Sequence, residues 1–194
     1  YVDKFIYALL SKKESGRFPG DTEFTEALET KAVYQMRGKY KAYLFERIEN
    51  FGTIEAKDVY THLDNNVYTI EHIMPQHLSP GWVEALGPNA EEIHTTWLHR
   101  LANLTLTGYN PSLSNNPFIE KRDAEDGGYK ASGLRMNQKI AQKDSWGLPE
   151  LEERNSRLFT IEQQDVDEIL EREIGKLVAH VESKQGEASI VLGT

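Results

Sequence analysis

Two short runs of β-prone residues lie in a chain whose other patterns are mostly helical. The first run, residues 67–73, reads Val-Tyr-Thr-Ile-Glu-His-Ile, and Pro75 ends it because proline cannot donate to a sheet ladder. The second run, residues 103–107, alternates leucine with threonine and is closed by Gly108. A short helical pattern that includes Phe118 and Ile119 follows it. This order predicts a ββα unit embedded in flanking helices, and therefore a mostly helical α+β fold.

Apolar residues recur at helical spacing on both sides of this unit. We expect Asp21 to cap a first helix, Ser79-Pro80 and Asn89 to open two helices between the strands, and residues 151–159 and 166–181 to be helical. A longer N-terminal helix carries a stripe that we interpret as core rather than as a base-stacking surface: Val33, Tyr40, Tyr43, Leu44 and Ile48. The three tryptophans, Trp82, Trp97 and Trp146, are expected in the core for the same reason.

These patterns divide the chain into four parts. We predict an N-terminal helical part (residues 1–66), a ββα core (67–123), a C-terminal helical part (124–182) and a flexible tail (183–194). The chain starts at Tyr1 without methionine, so we expect it to be part of a larger protein. Because no run approaches the roughly 20 apolar residues of a membrane span and no secretory leader is present, we expect a cytoplasmic protein without membrane contact.

Charge and cysteine content exclude two classes of function. The chain contains no cysteine, so disulfides and thiolate metal sites are excluded. Its net charge of −9 argues against general nucleic-acid binding, which depends mainly on Lys and Arg. Between positions 100 and 143 the balance reverses, and seven cations outnumber the acidic residues there: Arg100, Lys121, Arg122, Lys130, Arg135, Lys139 and Lys143. This stretch is either a local basic surface or a solvated helix face.

Several dispersed motifs around the two β runs resemble one known family of nucleases. They are Glu71-His72-Ile73-Met74-Pro75-Gln76, His99-Arg100-Leu101-Ala102-Asn103-Leu104-Thr105-Leu106-Thr107, Asn110, Leu113-Ser114-Asn115 and Phe118-Ile119-Glu120-Lys121-Arg122. Together they resemble the HNH (His-Me finger) nucleases, and in particular the C-terminal nuclease domain of GmrSD-type, modification-dependent restriction proteins. The likeness extends from about residue 24 to about residue 158.

The resemblance implies a role for each matching residue. His72 would be the general base that activates water, and Asn103 would serve the catalytic centre by pinning the long connection. Glu71 and Asn110 would bind a divalent metal, and such oxygen ligands suit Mg or Mn better than Zn. The resemblance also suggests four contacts to nucleic acid: Arg100, Asn115, Lys121 and Arg122.

Two features of the motif leave the metal site open. The interval from Asn103 to Asn110 is shorter than the common HNH spacing, so either Asn110 or the pair Asn115/Asn116 completes the metal shell. In a regular strand Glu71 and His72 point to opposite faces, so both reach one site only if the strand ends or bulges there. A zinc site of His72 with His77, His94 and His99 is a weaker alternative, since His94 and His99 are five residues apart and no cysteine supports it.

The resemblance implies a metal-dependent DNA endonuclease or nickase, the effector domain of an antiphage restriction protein that acts on modified phage or foreign DNA. It also implies an N-terminal NTPase domain in the same protein, and no phosphate-binding Gly-rich loop of the Walker type occurs in the present sequence. The alternatives are a noncatalytic module that binds modified DNA or a protein through a degenerate HNH fold, and a nuclease that cuts RNA.

Overall fold

A computed structural model of the chain describes residues 21–109 and 113–158, together with Tyr7. Predictions for Asn110, for a helix at 166–181 and for a tail at 183–194 lie outside the described residues. The chain divides into two units, and one of them, Glu26–Ile161, contains nearly all of the described residues. The other unit, Tyr1–Thr25 with Glu162–Thr194, falls largely outside them.

The two β runs form an antiparallel pair. Strand β1 (Thr69–His72) lies beside β2 (Leu104–Thr107), with Thr69 opposite Thr107 and His72 opposite Leu104. Both predicted strands are confirmed, although β1 is shorter than the run 67–73. Since side chains alternate between the faces of a strand, this register places Glu71 and His72 on opposite sides of the sheet.

Helices surround this pair in the described part of the chain, which confirms the predicted mostly helical α+β fold. Their bounds are α1 (Asp21–Thr30), α2 (Gly38–Asn50), α3 (Val59–Asp64), α4 (Pro80–Leu86), α5 (Ala90–Trp97), α6 (Phe118–Asp123), α7 (Arg135–Ile140) and α8 (148–158). Short 3₁₀ turns occupy Val33–Gln35, Gly87–Asn89 and Leu101–Asn103. Each helix in the described ranges is too short or too polar to cross a bilayer.

Local sequence explains where several helices begin. Ser79 is the N-cap of α4 and Pro80 its first residue, as predicted, because proline fits the first helical turn. Asn89 occupies the predicted N-cap of α5 without a side-chain capping bond. The carboxylate of Asp58 accepts a hydrogen bond from the Thr61 amide at 2.9 Å and thereby caps α3.

Two apolar clusters form the core. One contains the three tryptophans, which are 2%, 8% and 3% exposed at Trp82, Trp97 and Trp146, so their predicted core position is confirmed. The other contains Leu104 and Leu106 of β2 and packs against α2 and the turn at Val33. The sheet pair is therefore held by core contacts, as a two-stranded sheet requires.

The predicted stripe of the N-terminal helix is partly wrong. Tyr40 and Tyr43 are 49% and 58% exposed, whereas Leu44 and Ile48 are buried as expected. The helix begins only at Gly38, and Val33 belongs to a separate turn. Its packed face centres on Phe45, and at about 100° per residue Tyr40 and Tyr43 project well away from that face.

Candidate functional site

His72 is the last residue of β1 and lies in a cluster of rings. Its side chain is 4% exposed. The Nε2 atom of His72 lies 3.3 Å from Nδ1 of His99, and the donor of this pair depends on the tautomers. The ring of Tyr34 contacts His72 edge-on at a centroid distance of 4.4 Å and stacks on His99 at 5.4 Å. Tyr34 and His99 therefore cover the imidazole that we predict to be the general base.

The surroundings of His72 favour its neutral form. Burial, followed by the neighbouring charges of His99, Lys121 and His94, lowers the pKa of His72 to about 3. A neutral imidazole keeps one nitrogen lone pair for accepting a proton. His94 is held nearby, because its Nε2 lies 2.9 Å from the carbonyl oxygen of Pro75. The arrangement is thus a histidine cluster with a neutral imidazole at its centre.

Glu71 lies on the other face of the strand, against a buried lysine. Its Oε1 atom is 2.6 Å from Nζ of Lys121, which is 0% exposed. The same ammonium donates to the carbonyl oxygen of His72 at 2.9 Å. Burial raises the pKa of Glu71 and lowers the pKa of Lys121, since it disfavours both charges. Lys121 thus ties α6 to the end of β1.

The surroundings of Glu71 do not fit a metal centre. The strand neither bulges nor ends before His72, so Glu71 and His72 do not converge. A cation at the paired oxygen of Glu71 would meet the Lys121 ammonium. In residues 21–109 and 113–158, no three His, Asp or Glu side chains are grouped so that they could hold a metal ion, which gives the zinc alternative no support. Asn110, the second predicted ligand, is outside the described residues.

Asn103 pins the start of the long connection. It is fully buried, and its Oδ1 accepts a hydrogen bond from the Met74 amide at 2.8 Å while its Nδ2 donates to the Met74 carbonyl at 2.9 Å. Nδ2 also donates to the carbonyl of Leu98 at 3.1 Å, and the Trp146 indole donates to Oδ1 at 3.3 Å. Both atoms of the Asn103 amide group are therefore committed to hydrogen bonds within the protein, which is the arrangement that a positioning role predicts.

Two buried charged residues that the sequence motifs did not indicate bind backbone groups, and one of them, Arg154, does so beside Asn103. The guanidinium of Arg154 in α8 donates to the carbonyls of Ala102 and Leu104 at 2.7 and 2.8 Å, on either side of Asn103. Burial lowers the pKa of Arg154 to about 9. Glu49 accepts hydrogen bonds from the amides of Arg135 and Met136 at 2.8 and 2.9 Å and so caps α7. Neither residue belongs to a local motif, and both act over long sequence separations.

The four residues expected at nucleic acid have different surroundings. Lys121 is enclosed, so a phosphate contact does not fit its position. Arg122 donates to both oxygens of Asp123 and also to Asp144 at 2.8 Å, which raises its pKa and commits its donors. Arg100 is half-buried over the ring of Trp97 at 4.9 Å. Asn115 is exposed in the turn before α6 and remains a predicted contact.

The cationic stretch from 100 to 143 is largely neutralised rather than a continuous basic surface. Lys130 pairs with Asp123 at 2.8 Å, and Lys143 pairs with Glu153 at 2.5 Å. Together with the ion pairs of the buried Lys121 and of Arg122, these contacts neutralise most of the excess positive charge of the stretch. The reading as a solvated and ion-paired surface therefore fits this stretch better than a nucleic-acid surface does.

Comparison with known proteins identifies the family. A family model described as the C-terminal domain of GmrSD restriction endonucleases matches residues 18–161, which is most of the chain and includes both strands and all of the residues around His72. No individual curated protein matches the chain significantly. The chain belongs to the family of GmrSD restriction endonuclease C-terminal domains.

Proposed function

We propose that this domain is a DNA endonuclease or nickase in which His72 activates the water that attacks a phosphodiester. The family match supports a nuclease domain of a restriction system. The observation that supports His72 is its position: a buried imidazole at the end of β1, the first strand of the ββα unit, 3.3 Å from a second imidazole.

The surrounding residues serve this base in distinct ways. Asn103 and Arg154 fix the backbone on either side of the turn that leads into β2. Lys121 fixes the carbonyl of His72 and so the end of β1. For a water molecule to reach the imidazole, the ring of Tyr34 or His99 must move aside, because both contact it in this structure.

The proposal includes a requirement for Mg²⁺ or Mn²⁺, a role in antiphage restriction of modified DNA, and an NTPase domain in the same protein. These parts rest on the family resemblance. Among the described residues no three His, Asp or Glu side chains are grouped so that they could hold the ion. Glu71 acts as the partner of Lys121 in this structure, and Asn110 and Asn115 are proposed contacts to metal or DNA.

A second candidate function is a noncatalytic module that binds DNA or a protein. It is favoured by one observation, namely that the carboxylate expected at a metal is already paired with a buried ammonium. The two candidates differ in one outcome, which is strand cleavage.

Plasmid nicking separates them. The chain is incubated with supercoiled plasmid, either unmodified or modified, in the presence of Mg²⁺ or Mn²⁺, and in parallel reactions with excess EDTA. A matched RNA is tested separately under the same conditions. A nuclease converts supercoiled DNA to the open-circular form with metal and does not do so in EDTA. Cleavage in EDTA would remove the metal requirement, and DNA binding without cleavage on every substrate would support the noncatalytic module.

A further inference from the structure

A groove borders the histidine cluster on the side of α2 and α3. It has a volume of about 480 Å³, within the range of about 300–1,000 Å³ for small-ligand sites. Its walls come from α2, α3, the turn after α3 and the start of β1. Tyr34 belongs to both sites, because it lines the groove and its ring contacts His72.

The groove walls combine aromatic rings with cations. Tyr60 is 42% exposed, and Tyr68, which also lines the groove, stacks its ring on His62 at 4.9 Å. Lys39 is exposed, and the ammonium of Lys41 lies over the ring of Tyr34 at 5.0 Å and donates to the carbonyl oxygen of Tyr34 at 2.9 Å. Within the described residues neither lysine pairs with a carboxylate, in contrast to four cations of the 100–143 stretch, Lys121, Arg122, Lys130 and Lys143.

One acidic residue, Asp64, also lines the groove, so its charge balance is one net positive. Exposed rings beside lysines are the composition of surfaces that bind single-stranded nucleic acid, where bases stack on aromatic side chains and the backbone follows positive charge. A protein partner would not require this pairing of rings with unpaired lysines.

We propose that this groove binds an unpaired nucleotide of the substrate strand, with its base on Tyr60 and its phosphate near Lys39 and Lys41. The inference rests on the proposed nuclease function, which it deepens by assigning the path of the substrate past Tyr34 to His72. It also gives an acidic domain a site for DNA, since Lys39 and Lys41 form no ion pair within the described residues, whereas Lys57, Lys121, Lys130 and Lys143 do.

The test is binding of a fluorescent 12-nucleotide single-stranded DNA to the whole chain, measured by anisotropy in EDTA. Tyr60→Leu is expected to weaken binding about tenfold, which lies within the stacking contribution of one base, and Tyr60→Trp is expected to retain it. Lys39→Ala is expected to weaken binding and reduce the slope of log K against log salt by about 0.7.

Tyr43→Leu is the matched control. Tyr43 is a more exposed tyrosine of α2 that does not line the groove, so its replacement is expected to leave affinity unchanged. Equal weakening by Tyr43→Leu and Tyr60→Leu, or parental affinity in Tyr60→Leu, would overturn the proposal. Far-UV circular dichroism checks that each variant is folded.

The groove proposal and the nuclease proposal can be refuted independently of each other. If Tyr60→Leu binds like the parent while His72→Ala still abolishes nicking, the groove proposal is wrong and the nuclease proposal stands. If Tyr60→Leu weakens binding but the parent cuts no DNA, the groove stands as a binding site and the nuclease proposal is wrong.

Discussion

Replacing Lys121 by methionine tests what holds the end of β1. Lys121 is fully buried, and its ammonium makes two contacts, at 2.6 Å to Glu71 and at 2.9 Å to the carbonyl of His72. Methionine fills a similar volume but donates to neither oxygen. The variant therefore leaves the Glu71 carboxylate, which is 4% exposed, buried without its partner.

The expected loss in the free energy of unfolding is about 3–5 kcal/mol, the usual cost of removing one member of a buried ion pair. For a folded unit of roughly 150 residues this corresponds to a fall in Tm of about 6–20 °C. Urea denaturation followed by circular dichroism measures it. The double variant Glu71→Leu/Lys121→Met removes both charges and is expected to recover most of the loss, because an apolar pair can replace a buried ion pair.

Lys130→Met is the matched control. Lys130 is 54% exposed and pairs with Asp123 at the surface, so its replacement is expected to cost at most about 1 kcal/mol. The reasoning is refuted if Lys121→Met costs no more than Lys130→Met, or if the double variant is as unstable as the single one.

Two further variants test the buried polar groups around the sheet, with urea denaturation as the measurement. Asn103→Ala leaves the amide and carbonyl of Met74 without their hydrogen-bond partners and is expected to lower the free energy of unfolding by at least about 2 kcal/mol. The exposed Asn115→Ala is the control and is expected to change it very little. Equal stabilities of the two variants would contradict the pinning role of Asn103. Tyr129→Phe removes a buried hydroxyl that has no hydrogen-bond partner among the described residues, so it is expected to be neutral or to stabilise by up to about 1 kcal/mol, and a loss above 1 kcal/mol would reveal a missed partner.

Much of the fold could be predicted because it depends on local patterns. The alternation of leucine and threonine predicted the second strand, and Ser79-Pro80 predicted the start of α4; both are observed. The family resemblance predicted that Asn103 pins the connecting loop, and its hydrogen bonds to Met74 are consistent with that prediction.

The misplaced residues depend on long-range contacts. Lysine is rarely buried, and Lys121 is buried only because Glu71, fifty positions away in sequence, supplies its counter-charge. Tyr40 and Tyr43 match a helical spacing, but the face of α2 that packs against the core centres on Phe45, and both tyrosines project away from it. The contact of His72 with His99 spans the whole connection between the strands and no local pattern reports it.

The central claim is that His72 is the general base, and the single-turnover rate of DNA cleavage by His72→Ala tests it most directly. His77→Ala is the control, since His77 is exposed and outside the cluster. Loss of a positioned general base is expected to lower the rate by about 10²–10⁴-fold, with parental cleavage in His77→Ala. A folded His72→Ala variant that cleaves at the parental rate would contradict the assignment.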